Sequence, residues 1–238
     1  MLHIIGLGLA VDGISKKGID ILKSCKKIYL ENYTVEFPYN TRGLAELLGK
    51  KKIHPANRKF VESLRIVDEA KKLDIALLVY GSPLTATTHI SILDEAKKSG
   101  VITKVIHSAS IFDAVGETGL QLYKFGKTAS LPNLEADSYI NIIKENLQIG
   151  AHTLILVDIG MRFEVVIKKL KEDSEKKDLT LKKIIVCQRL GTNQSEIFYK
   201  GFEKLEKLEG EDEIRAPFCM VVPGKMHFLE KEFLDNFK

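Results

Sequence analysis

Cysteine is scarce in this 238-residue sequence, where Cys25, Cys187 and Cys219 are odd in number and far apart. They cannot build a disulfide framework, and without a CxxC spacing they form no structural zinc site. Cys187 and Cys219 stand in apolar, strand-like runs, which marks them as buried inert thiols and the compartment as reducing. An excess of charge is also missing. Lys plus Arg is 36 and Asp plus Glu is 32, a formal net charge of only +4. Nucleic-acid binding needs basic residues gathered on one face. The lysine pairs (Lys16-Lys17, Lys26-Lys27, Lys71-Lys72, Lys97-Lys98, Lys168-Lys169, Lys182-Lys183) are instead scattered over many elements and read as solvated helix faces. Long hydrophobic runs are absent too. Ile75 to Tyr80 and Thr153 to Val157 fall far short of the ~20 residues that span a bilayer. Met1-Leu2-His3-Ile4 lacks a basic n-region, so no signal peptide is expected. The expectation is a cytoplasmic protein with no membrane association and no direct nucleic-acid partner.

What is present is an ordinary globular mixture, 45% hydrophobic and 29% charged. At roughly 150 residues per domain, the length allows one large domain or two small ones. Apolar runs alternate with stretches of helical period. His3-Ile4-Ile5 predicts a buried strand, Ser15 a helix cap before Ile19, Leu22 and Cys25, and Lys27 to Leu30 a second strand. A short helix is expected around Gly43 to Leu48, ended by Gly49. Phe60, Leu64 and Val67 mark one face of a helix reaching about Lys72, and Ile75 to Tyr80 is the clearest strand. Thr88 to Ser99 predicts a helix, with Thr87 or Thr88 as its cap, and Lys104 to His107 a strand. After Thr128 to Asp137 a second block begins. Its helix carries Tyr139, Ile142, Ile143 and Leu147, and strands follow at Thr153 to Asp158, Lys183 to Gln188 and Phe218 to Val222. Glu172 to Asp178 reads as an exposed loop or frayed helix end. Strands apolar on both faces and separated by helices indicate a mostly parallel sheet covered on both sides.

Ligands of open α/β sheets bind at the carboxyl ends of strands, so the turns there come first. Gly6-Leu7-Gly8 follows the first strand, and Glu31 ends the second, about where a ribose-binding acid belongs. A dinucleotide fingerprint needs a third glycine at position 11, which is Val11. The second turn, Gly81-Ser82-Pro83-Leu84-Thr85-Ala86-Thr87-Thr88-His89, is rich in small residues that leave backbone groups open to a ligand. His107-Ser108-Ala109-Ser110-Ile111 repeats that pattern. Three such turns from one sheet would converge on one crevice. No GxxxxGK[ST] phosphate loop, GxSxG elbow or HExxH metal pair occurs. Among six histidines, His89, His107 and His227 lie beside the candidate turns.

With these turns in place, the chain resembles the diphthine synthases, within the tetrapyrrole-methylase-like family of S-adenosylmethionine methyltransferases. The resemblance rests on Ile5-Gly6-Leu7-Gly8-Leu9, the Gly81 to His89 stretch, Ser110-Ile111 with Ala114-Val115-Gly116, and Gly119 to Lys127 with its Tyr-Lys-Phe-Gly core. It continues through His152-Thr153-Leu154, Asp158-Ile159, Arg189-Leu190-Gly191 and Pro223-Gly224-Lys225-Met226-His227. It implies an N-terminal α/β domain (1–116) and a C-terminal α/β domain (117–238) with mostly parallel or mixed sheets. The cofactor, S-adenosyl-L-methionine with S-adenosyl-L-homocysteine as product, is expected in the interdomain cleft. A homodimer is also implied, as is methylation of the amino group of the modified histidine on translation elongation factor 2, giving diphthine. By matching position, the cofactor-binding residues are Leu9, Ser82, Thr85, Ser110, Ile111, Val157, Leu190 and Phe218, many through backbone atoms. No metal is implied and no catalytic side chain is assigned.

The chain departs from the family pattern twice. Gly81-Ser82-Pro83 stands where Gly-Asp-Pro is usual, and Phe218 where many relatives carry histidine. Lys124, Lys127, Arg189 and Lys225 are the cations available for the substrate's carboxylate. Competing expectations are a methylase of the same fold acting on a tetrapyrrole or ribosomal RNA, a nicotinamide-dependent dehydrogenase suggested by Gly6, Gly8 and Glu31, and a non-catalytic cofactor-binding protein suggested by Ser82.

Overall fold

Alternation along buried strands decides how the first half of the chain is clad. The computed structural model describes residues 1–49, 51–208 and 213–237, and the chain divides into two units, Met1–Phe112 and Asp113–Lys238. The first unit runs β1 (Leu2–Gly6), α1 (Lys16–Ser24), β2 (Lys27–Glu31), α2 (Arg42–Leu47), β3 (Ile53–Ala56), α3 (Arg58–Glu62), α4 (Arg65–Ala70), β4 (Ile75–Val79), α5 (Ile90–Lys98) and β5 (Thr103–Ile106), with α6 (Ile111–Ala114) at the junction. Its sheet has the order β3-β2-β4-β1-β5, and every pairing in it is parallel. Leu2, Ile4, Ile75, Leu77 and Val79 pack on one side against Ile66, Val67, Ile92 and Ala96. Ile5, Ile28, Leu30, Ala76 and Leu78 pack on the other against Leu22 and Leu44. Side chains two apart share a face, so both layers are cores and the strands read as unbroken apolar runs. The connection after β1 leads to β2 on one side of the sheet, and that after β4 leads to β5 on the other. Adjacent strands whose connections part in this way open a crevice at their carboxyl ends.

Several local expectations hold and others change. Ser15 caps α1 by accepting from Gly18 N–H at 3.1 Å. The helix expected from Phe60 to Lys72 is two helices, α3 and α4, broken where Leu64 takes φ 59°. The apolar face is nevertheless kept, since Phe60, Leu64 and Val67 all pack into the same core. Neither Thr87 nor Thr88 caps α5. Its first flanking residue is His89, whose side chain makes no cap bond, because the ring is committed elsewhere. β3 was not anticipated, and Pro55 within it is tolerated because β3 is an edge strand.

The second unit runs β6 (Ala129–Leu131), α7 (Ser138–Gln148), β7 (Thr153–Val157), α8 (Phe163–Lys176), β8 (Ile184–Gln188), β9 (Glu196–Lys200), α9 (Phe202–Leu205), β10 (Phe218–Val222) and α10 (Phe228–Leu234). The sheet order is β6-β7-β10-β8-β9. β6 pairs parallel with β7, and the remaining pairings are antiparallel. The mixed α/β architecture expected for the chain is therefore the one it has. Tyr139, Ile140 and Ile143 of α7 and Val166, Ile167 and Leu170 of α8 close over Ile155, Val186, Met220 and Val222. The polar interval from Glu172 is not a loop. Residues 172–176 continue α8, and Asp173 is buried, accepting from Tyr139 Oη at 2.9 Å and pairing with Lys169 at 3.0 Å. All three cysteines are buried and unbridged, with Cys187 facing Cys219 across β8 and β10. No described helix is long and apolar enough to cross a membrane.

Candidate functional site

The turns after β1, β4 and β5 meet at the carboxyl end of the first sheet. Gly8 and Gly81 exchange backbone hydrogen bonds of 3.1 and 3.0 Å, which ties the first turn to the second. Gly6 is required at their crossing. A Cβ there would stand 2.6 Å from Gly81 O, 3.0 Å from Pro83 Cδ and 3.1 Å from Ser108 Cβ. Gly81 itself takes φ +70°, a conformation that a side chain disfavours. Tyr80 Oη donates to Leu9 O at 3.1 Å, Ser82 Oγ lies 3.4 Å from His107 Nδ1, and Ser108 Oγ donates to Gly13 O at 2.8 Å. Leu9, Ser82 and Ser110 are buried at this crossing, with Thr85 and Ile111 half-buried on the same turns. The structure thus brings together all of the anticipated positions that lie in the first unit.

Their lining is neutral. None of the eight anticipated positions carries a charged side chain, and beside the hydroxyls of Ser82, Thr85 and Ser110 what they offer is backbone carbonyl and amide groups. Carbonyl dipoles favour a cation such as a sulfonium, and glycine lets a flat or extended ligand approach the chain closely. A pyrophosphate would instead need the start of a helix or cations. α1 begins only at Lys16, well beyond Gly8, and its cap is already filled by Ser15. Glu31 does not wait for a ribose either. It is buried at the end of β2, its Oε2 lying 3.3 Å from His89 Nε2. The dinucleotide reading loses both of its supports.

In the second unit the anticipated positions also share one end of a sheet. Phe218 opens β10 opposite Gln188 of β8, Val157 ends the neighbouring strand β7, and Leu190 lies just past β8. The Phe218 ring, half-buried, packs edge-on against Phe163 at the margin of the core with centroids 5.7 Å apart. Arg189 holds this corner in a left-handed conformation, φ 48°. Its N–H donates to Pro217 O and its Nε to Ala216 O, each at 2.9 Å.

Sequence reasoning missed a buried polar hub in the same unit. Glu230 on α10 accepts from Lys124 Nζ, from Gln121 N–H at 2.9 Å and from His227 N–H at 2.5 Å. His152 Nδ1 accepts from Gly224 N–H at 2.9 Å, so the ring's remaining proton sits on Nε2 and is donated to Glu230 Oε1 at 3.1 Å. Burial alone would raise the Glu230 carboxyl. The donors from Lys124, Gln121, His227 and His152 outweigh it and hold the group down at about 2. Burial lowers His152, against the opposing pull of Glu230. These bonds explain why Tyr-Lys-Phe-Gly, His152 and the Pro223 to His227 stretch occur together. Lys124 is thereby withdrawn from the cations available to a substrate. Lys127 pairs with Glu145 at 2.7 Å, and Lys225 is exposed with no ion pair among the described residues.

The tetrapyrrole (corrin/porphyrin) methylase model matches residues 1–206. Diphthine synthase of Methanocaldococcus jannaschii is 38% identical over 98% of this chain and 97% of its own. That of Methanothermobacter thermautotrophicus is 35% identical over 98% and 94%. A crystal structure of diphthine synthase superposes with a TM-score of 0.90 at 33% identity, covering 99% of this chain and 95% of the other. The chain belongs to the tetrapyrrole methylase family, among the diphthine synthases. Membership makes it a methyltransferase, whose first need is a methyl donor.

Proposed function

We propose that the chain methylates the amino group of the modified histidine on translation elongation factor 2, using S-adenosyl-L-methionine and giving diphthine. The observation that carries this reading is the knot of Gly6, Gly8 and Gly81 with Ser108 to Ser110, where the turns after three neighbouring strands cross with almost no side chain between them, in a chain alike to diphthine synthases over nearly its whole length. The residues assigned to the cofactor are Leu9, Ser82, Thr85, Ser110, Ile111, Val157, Leu190 and Phe218. When bound, S-adenosylmethionine supplies a methyl group already activated on a sulfonium.

The protein's share is then alignment, which accounts for several kcal/mol of a barrier of this kind. The neutral turns hold the donor without competing cations. A water-poor surround favours the unprotonated form of the attacking amine. Lys225 is the cation best placed by its freedom to pair with the substrate amino acid's carboxylate, as Lys124 is not. A homodimer and a cytoplasmic location complete the reading. The exposed apolar side chains Phe228, Leu229 and Phe233 on α10 support a second copy.

The test supplies methyl-labelled S-adenosylmethionine and elongation factor 2 carrying the unmethylated diphthamide precursor. Label is expected on that histidine. Its absence, beside a control enzyme that labels the same preparation, would overturn the assignment. Label on ribosomal RNA or a tetrapyrrole instead would favour the other methylases of the fold.

A further inference from the structure

The turn that carries Ser82 and Thr85 is pinned at its far end by one ring. His89 is buried, and so is Glu31 opposite it, each side chain 1% exposed. His89 Nδ1 lies 3.1 Å from Pro83 O. A carbonyl can only accept, so Nδ1 carries a proton. His89 Nε2 lies 3.3 Å from Glu31 Oε2, a close approach without hydrogen-bond geometry, and among the described residues neither that nitrogen nor either Glu31 oxygen has a hydrogen-bond partner. Buried polar groups cut off from water are costly, so the facing imidazole and carboxyl depend on each other. Thr87 adds a strut, with Oγ1 donating to Pro83 O at 3.2 Å and accepting from His89 N–H at 3.4 Å.

We infer that His89 and Glu31 form a positioning pair that sets the Gly81 to Thr88 turn for cofactor binding. The inference rests on the proposed cofactor site, because it assigns a purpose to a residue one step removed from it. Between Gly81, bonded to Gly8, and His89, set against Glu31, the turn makes few bonds of its own beyond Thr85 N–H to Ser82 O at 3.1 Å. The ring reaches back to Pro83, near the start of this span, and across to β2. It therefore fixes the turn's path at two points at once. Neither residue touches the cofactor positions through its own polar atoms. The pair is also the reason that Glu31 sits where a ribose-binding acid would be expected yet cannot serve as one.

Isosteric replacements separate the two contacts. His89→Asn can keep a donor near Pro83 O but loses Glu31, whereas His89→Gln can keep a donor near Glu31 but loses Pro83. S-adenosylhomocysteine affinity by calorimetry is expected to fall at least about tenfold in His89→Ala and by less in each amide variant. KM for S-adenosylmethionine should rise while kcat at saturation stays near the wild-type value. Glu31→Ala should weaken binding similarly, and His89→Ala with Glu31→Ala should be no worse than either alone, as expected of residues acting as a unit. Glu31→Gln, which can donate to a neutral ring, should restore most of the affinity and serves if the alanine variants fold poorly. Amide hydrogen exchange of residues 84–88 in the cofactor-free protein gives a second readout, expected at least about tenfold faster in His89→Gln. Unchanged exchange there, or effects of the two alanines that simply add, would overturn the pair. Failure of the wild-type protein to bind S-adenosylhomocysteine would instead overturn the proposed cofactor, and the exchange comparison would still decide the pair.

Discussion

Each unit buries a glutamate against a histidine Nε2, and the two arrangements differ in everything else. Glu230 is saturated, with Lys124, His152 and the amides of Gln121 and His227 converging on its two oxygens. Glu31 has only His89, and the contact is a near approach of 3.3 Å rather than a well-aligned bond. A fully satisfied buried network rigidifies its surroundings, whereas an under-satisfied one is costly and persists where it serves another end. The second unit spends its buried acid on joining distant segments. The first keeps its own beside the turns that form the candidate site.

Breaking the saturated acid should have the largest effect. Glu230→Ala leaves the half-buried Lys124 ammonium and several buried donors without an acceptor and is expected to cost about 3 kcal/mol of stability in urea unfolding. A loss below about 1 kcal/mol would mean that the hub is dispensable. Acid sharpens the same contrast without mutation. The folded Glu230 carboxyl lies at about 2 against an ordinary 4.5, so its contribution is complete above the unfolded value. That contribution is lost as the pH falls from about 4.5 toward 2, by roughly 3 kcal/mol in total. Glu230→Gln should flatten this part of the stability profile, and an unaltered slope would contradict it.

The first unit is probed by crowding rather than by charge. Gly6→Ala places a methyl 2.6 Å from Gly81 O, which should cost about 1–3 kcal/mol by overpacking and lower S-adenosylhomocysteine affinity more than about tenfold. Wild-type affinity in that variant would dissociate the knot from cofactor binding. Lys225→Ala should raise KM for elongation factor 2 several-fold while leaving S-adenosylhomocysteine affinity alone; the reverse pattern would remove Lys225 from substrate recognition. The smallest effect is expected of Phe218→His, which restores the residue common among relatives. Contact through the backbone predicts less than about threefold in cofactor affinity. A larger gain would mean that a ring nitrogen at this position does make a contact.

Legibility in the sequence followed the range of the interaction. β1, β4, β7, β8 and β10 are apolar on both faces, and a few neighbouring residues suffice to reveal them. β3 was hidden by Pro55, β6 by its three residues, and β9 by charged ends and half-exposed faces. The break at Leu64 was invisible because it is imposed by how α3 and α4 dock, not by a glycine or proline. Gathering the turns after β1, β4 and β5 needed only the rule that parallel sheets bind at strand ends. Reading Glu31 as a ribose ligand and Lys124 as a substrate cation failed for one shared reason. Their partners, His89 and Glu230, lie far along the chain, and spacing carries no information about such pairs.

The position of β4 has a consequence for how the first unit is made. β4 is the strand that joins β1 to β2, yet it is the fourth to leave the ribosome. Until Ile75 to Val79 have emerged, β1 has neither of its sheet neighbours, and β2 has only the edge strand β3. More than a quarter of the chain must therefore be synthesised while two strongly apolar strands await their central partner. Parallel pairings of this sequence separation close slowly and expose sticky surface in the meantime. The crossing of Gly6 and Gly81 is thus one of the later events in the nascent chain's folding, and the candidate site exists only once that keystone is seated.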